Sequence, residues 1–346
     1  MWFAQPGARG WIGPAAPAGV REFHRGLPGY APTPLRELPA IAAELGVGRL
    51  LVKDETDRLG LPAFKVLGAS WAVHRALVSA DRPDTLVTAT DGNHGRAVAR
   101  TARLLGLAAH VVVPPGVHPA AVAAIEGEGA AVTAVSGDYD EAVRRAAELA
   151  REPGGLLVQD TAWPGYTEIP GWIVEGYSTL FAELDEQLAG PADLVVVPVG
   201  VGSLAQAAVT HCRSRSDGPA VLAVEPDTAA CVLASLRAGR PVTVPTGHTA
   251  MAGLNCGTPS DLAWPVLRDG LDAAVAVTDA EAARAAEDLA ASGIPAGPCG
   301  AATLAGARSA LLDPGRRDTL ALPADPTVVL ICTESAAANP SRTNLL

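Results

Sequence analysis

The stretch LPAFKVLG (61–68) carries Lys65, one of only two lysines among 26 basic residues; the rest are arginines. Phe64, Leu67 and Trp71 surround it with apolar side chains at helical spacing. A lysine so placed either snorkels its ammonium toward water or loses hydration. Desolvation lowers the amine's pKa and makes it a nucleophile toward carbonyls, as in Schiff-base lysines. The other lysine, Lys53, sits in VKDE and reads as a strand end with an ion pair.

Four further segments have the right residue types for a cleft. TDGNHG (90–95) offers Asp91 and Asn93 at a tight polar turn ahead of a helix; its plain alternative is an Asx turn with a helix cap. GVGS (200–203) presents Gly200, Val201, Gly202 and Ser203 before a helical pattern. Its glycines let backbone N–H groups approach a phosphate, and the helix N-terminus adds its dipole. The full GxGxxG is absent, which disfavours a nicotinamide dinucleotide site. QDTAWPGY (159–166) places Asp160 directly after an apolar run, either at a cleft mouth or as a loop cap; TES (333–335) places the Thr333 hydroxyl at a strand end, where threonine is also ordinary.

The elements that position these segments follow a regular alternation. Apolar runs at 49–55, 84–92, 108–115, 130–137, 155–160, 193–200, 220–226, 273–279 and 327–333 read as strands, with helical patterns between most of them. Most runs are too apolar for a sheet with one wet face. The expectation is therefore an α/β protein with two open, mostly parallel sheets, helices on both faces and a site between two domains. Strands from 49–160 form one set and those from 193–333 the other, joined by a long helix from about Glu168 to Leu188. The domains expected are a smaller one, 46–175, carrying the lysine and the TDGNHG turn, and a larger one, 1–45 plus 176–346, carrying the glycine loop. Ligands of such sheets bind beyond the carboxyl ends of the strands, where all five segments fall.

Composition narrows the partners. With 49% apolar residues the chain can bury a large core, and a net charge of −11 argues against nucleic acid. There is no run of 18 apolar residues for a membrane span and no secretory leader, and five cysteines without paired spacing suit reduced thiols in the cytoplasm. Pairing of Cys231 with Cys256 stays open. No CxxC, HExxH or other metal-ligand spacing occurs, so no catalytic metal is expected.

A Schiff-base lysine, a phosphate loop, an asparagine at a cleft turn and a hydroxyl at a strand end together suit pyridoxal 5′-phosphate, with two aspartates left for proton transfer. At this point the sequence also resembles a family, the diaminopropionate ammonia-lyases, within the tryptophan-synthase-β-like (fold type II) pyridoxal-phosphate enzymes. The resemblance runs over nearly the whole chain, from FHRGLPGYAPTPL (23–35) and LVKDETDRLGLPAFKVLG (51–68) through TDGNHGRAVA (90–99), VQDTAWPGYTEIPGWIVEGYSTL (158–180), VVVPVGVGSLAQA (195–207), AVEPDTAAC (223–231) and MAGLNCGTPSDLAW (251–264) to ICTES (331–335).

That resemblance implies a lyase in which Lys65 holds the cofactor, Asn93 meets its ring oxygen, 200–203 hold its phosphate mainly through backbone N–H groups and Thr333 faces its ring nitrogen. Asp91 and Asp160 would act on the substrate, with Asp91, Asp160 or the freed Lys65 as base. The implied reaction is elimination of ammonia from D- and/or L-2,3-diaminopropionate, giving pyruvate and two ammonia. A homodimer acting on a small amino acid is expected. The chain departs from the family pattern at AGPCGA (296–301), where the family has a segment like SGESGA, at GTP (257–259) and at SAAANP (335–340). Other readings stay open: a serine/threonine-dehydratase-like or β-replacement enzyme on the same cofactor, or a non-catalytic ligand-binding homologue.

Overall fold

A computed structural model describes residues 1–338 apart from 16, 80–82, 91 and 138. Its strands, in chain order, are β1 (Trp2–Ala4), β2 (Leu35–Glu37), β3 (Arg49–Asp54), β4 (Thr85–Ala89), β5 (Ala108–Val113), β6 (Ala131–Ala134), β7 (Gly155–Leu157), β8 (Leu194–Pro198), β9 (Ala220–Pro226), β10 (Ala273–Val277) and β11 (Thr327–Cys332). They form two sheets, ordered β1-β10-β9-β8-β11-β3-β2 and β6-β5-β4-β7. Every pairing is parallel except those of β1 with β10 and β2 with β3.

All nine apolar runs contain a strand, and the reason is visible in burial. β8 and β9 are buried at every position, as strands covered on both faces must be. The helix Pro298–Leu311 crosses the strands of the larger sheet on one face. The helices Val66–Ser79, Glu168–Gln187 and Ser203–Arg213 share a second core on the other. The expected helix from about Glu168 is the one observed, and it packs tightly on Val66–Ser79. A Cβ on Gly176 would lie 2.5 Å from the Leu67 carbonyl oxygen, and one on Gly68 2.6 Å from Tyr177 Cε1, so both contacts need glycine.

Two points correct the sequence reading. The strand at 49–55 belongs with the later set: β3 pairs in parallel with β11, Lys53 opposite Ile331, in the larger sheet. Proximity in sequence to β4 suggested otherwise, but the loop and helix after β3 carry the chain out of one sheet and into the other. The two antiparallel edge strands, β1 and β2, were not expected. At three residues each, with no fully buried position, they lack the apolar run that marks the others.

Candidate active site

The carboxyl ends of β4, β7, β8 and β11, with the loop that follows β3, converge on one cleft. Lys65, Asn93, Asp160, Thr333 and the 200–203 loop all line its cavity of about 390 Å³, a size usual for small-molecule sites. Asp91 lies outside the described residues.

Lys65 stands immediately before the helix Val66–Ser79. Its loop is fastened to the end of β11: Phe64 N–H donates to the Thr333 carbonyl at 3.3 Å, Ser335 N–H donates to Pro62 O at 2.9 Å, and Ala63 bridges Glu334. The Lys65 ammonium donates to Asp160 Oδ2 at 2.7 Å and lies 5.4 Å and 5.9 Å from the ring centroids of Phe64 and Tyr177. Burial alone would raise the Asp160 carboxyl, but the Lys65 ammonium beside it outweighs that and holds it well below the usual carboxylate range. Asp160 is therefore ionised at neutral pH. Burial pushes the Tyr177 phenol the other way, up to about 12.

At the end of β4 the capping role falls to Thr90. Its Oγ1 accepts from Gly92 N–H at 3.0 Å and Gly95 N–H at 3.1 Å. Asn93, first residue of the helix Asn93–Leu105, is thus released from capping, and its Nδ2 donates across the cleft to Glu334 Oε2 at 2.5 Å.

The 200–203 loop opens the helix Ser203–Arg213 with Gly202 at φ +105°, a left-handed conformation that disfavours any Cβ. A Cβ there would also lie 2.8 Å from Leu267 Cδ1, and one on Gly200 would lie 3.0 Å from Cys256 Sγ. Glycine at the helix N-terminus brings no side chain to its first amides, which are left to face an anion; this loop fits a phosphate. The Ser203 hydroxyl is spent elsewhere, donating to the Asp160 carbonyl at 2.8 Å and so joining the loop to the Asp160 segment. No disulfide joins Cys231 to Cys256.

Three more cleft residues were not singled out from sequence. His94 is buried, its Nε2 paired with the Val158 carbonyl at 2.8 Å and its Nδ1 3.9 Å from Asp160 Oδ2; burial lowers its pKa, leaving a neutral imidazole. It sits inside TDGNHG, so the motif contained the signal. Glu334 directly follows Thr333, and burial raises its pKa. Cys299 lines the cleft from the segment AGPCGA, its N–H donating to Glu334 Oε1 at 3.3 Å. Among the described residues no group of three or more His, Cys, Asp or Glu is arranged to hold a metal, and no helix is long and apolar enough to cross a membrane.

Comparison with known proteins agrees with this geometry. Residues 27–334 match the family described as pyridoxal-phosphate dependent enzyme. A diaminopropionate ammonia-lyase of Salmonella typhimurium is 40% identical over 297 residues, covering 77% of this chain and 73% of the relative. The crystal structure of Escherichia coli diaminopropionate ammonia-lyase in complex with an aminoacrylate–PLP azomethine reaction intermediate superposes with a TM-score of 0.87 at 33% identity, covering 97% of this chain and 94% of that one. Maize serine racemase matches with a TM-score of 0.81 at 25% identity, covering 96% and 95%. The chain therefore belongs to the pyridoxal-phosphate dependent enzymes of fold type II, and within them to the diaminopropionate ammonia-lyase family.

Proposed function

We propose that this cleft eliminates ammonia from 2,3-diaminopropionate, in its D and/or L form, and that the observation carrying this reading is the 2.7 Å contact of Lys65 with an ionised Asp160 beside the glycine loop. Pyridoxal phosphate, when bound, supplies a conjugated sink for the electron pair released at a substrate α-carbon. Lys65 is the amine suited to hold its aldehyde. The N–H groups of 200–203 would take its phosphate, Asn93 its ring oxygen and Thr333 its ring nitrogen. Thr333 offers a neutral hydroxyl, so it does not enforce a proton on that nitrogen as a carboxylate would.

Freed by the incoming substrate amine, Lys65 is a base at the α-carbon, and the ionised Asp160, within hydrogen-bonding reach, orients it and stabilises the ammonium it becomes. The β-amine leaves as ammonia only when protonated, and the Lys65 ammonium formed at the α-carbon can deliver that proton. Asp91 would act as a second proton-transfer group, which would admit both enantiomers. Water then converts the remaining enamine to pyruvate and a second ammonia. The buried, neutral His94 and the high-pKa Tyr177 keep further charge away from Lys65. We also infer a cytoplasmic homodimer, supported by five cysteines without paired spacing in the sequence and by the prevalence of two-fold oligomers among soluble enzymes.

The test is a pyruvate and ammonia assay with D- and L-diaminopropionate, serine and threonine. Two ammonia per pyruvate from diaminopropionate, well ahead of the hydroxy amino acids, is expected. Turnover of serine or threonine alone would move the chain to the dehydratases, and pyruvate from none of the four would end the elimination reading.

A further inference from the structure

The contact between Asn93 and Glu334 joins residues 241 positions apart and spans the two sheets, one partner following β4 and the other following β11. Glu334 is only 2% exposed. A buried carboxyl is costly unless its oxygens are satisfied, and here both are. Oε2 accepts from Asn93 Nδ2 at 2.5 Å, and Oε1 accepts from Cys299 N–H at 3.3 Å. Its backbone is pinned as well, bridging Ala63 and accepting from Gly297 N–H at 2.9 Å. Gly297 allows this approach, since a Cβ there would stand 3.0 Å from Glu334 Oε1.

An asparagine amide has two N–H donors and one acceptor oxygen. Once one N–H is committed to a fixed carboxyl, the amide plane is set, and a flip would bring Oδ1 against Glu334 instead. The second N–H then points from a defined position in the cleft wall. We propose that Glu334 is a positioning residue that orients the Asn93 amide so that its remaining N–H meets the cofactor's ring oxygen. This rests on the assignment of Asn93 given above. Burial also raises the Glu334 pKa, which limits negative charge beside that oxygen. Helix capping alone would not need the contact with Asn93.

The test uses the full chain, stripped of cofactor and titrated with pyridoxal phosphate, and reads the dissociation constant and the absorbance band of the loaded protein. Glu334→Ala and Asn93→Ala should each weaken cofactor binding about tenfold, as loss of one hydrogen bond near a charged group does. Both should shift the band in the same sense, and the double variant should be no worse than either single one. Glu334→Gln, which keeps an acceptor for Asn93, should restore most of the band. A shifted band in Asn93→Ala with an unshifted one in Glu334→Ala overturns the proposal and leaves the Asn93 assignment standing. Unshifted bands in both, with colour still lost in Lys65→Ala, overturn the two together. Should Glu334→Ala fail to fold, Glu334→Gln is compared with Glu334→Met; identical bands from that pair overturn the proposal too.

Discussion

The chain's two lysines occupy opposite kinds of surroundings. Lys53, on β3, is fully buried, its ammonium donating to Glu183 Oε2 at 2.7 Å, Thr33 O at 2.9 Å and Gln187 Oε1 at 2.9 Å. Arg58 completes the cluster, reaching Glu183 at 2.7 Å and Glu55 at 2.6 Å with no exposure. Lys65 also meets a carboxylate at 2.7 Å, yet 22% of its side chain opens onto the cleft. Both amines are ion-paired at the same distance, so pairing does not separate structural from chemical lysine; access does. Burial lowers the Lys53 pKa, but no substrate can reach it.

Breaking the two sites should have different consequences. The largest effect expected is from Lys65→Ala: loss of the cofactor's Schiff-base colour and about 10⁴-fold or more of the turnover, the scale of removing a proton-transfer group that also binds covalently. Its melting temperature without cofactor should stay near the parent's. An unchanged spectrum would remove the assignment.

Glu183→Ala should do the reverse. It strands Arg58 and Lys53 without their shared carboxylate, a change that typically costs about 3–5 kcal/mol of stability. Denaturant unfolding measures it, while the folded fraction should keep its colour. Gly202→Ala comes next, at about 1–3 kcal/mol for a side chain forced into φ +105° against Leu267. Cofactor affinity should fall more than substrate affinity, as spectral titration would record.

The smallest effect sharpens the comparison by pH. Burial would raise the Glu183 carboxyl, but Arg58 and Lys53 outweigh it and hold it at about 2, below the ordinary 4.5. A depressed carboxyl stabilises the fold above its unfolded pKa, and that contribution fades as pH falls from about 4.5 toward about 2. Glu183→Gln should flatten this acid limb in melting curves.

Much of this was legible in the sequence because parallel strands buried on both faces write themselves as apolar runs, and because in such sheets the residues after each run face the cleft. Lys65, Asn93, Asp160, the 200–203 loop and Thr333 were all found that way. Partner choice was not legible. Sequence cannot tell that β3 pairs with β11 rather than with its neighbours in the chain, nor that Thr90 takes over the cap and frees Asn93. Glu334 was overlooked because a glutamate after a strand resembles any solvated charge until its burial is known. The two edge strands, too short for a period-2 pattern, gave no signal.

The insertion of β11 between β8 and β3 has a consequence for synthesis. Residues 49–54 leave the ribosome long before their parallel neighbour, 327–332. Until it arrives, an apolar strand edge must wait unprotected beside the future catalytic loop. The nascent chain is thereby committed to late closure and to a period of aggregation risk that chaperones would have to cover.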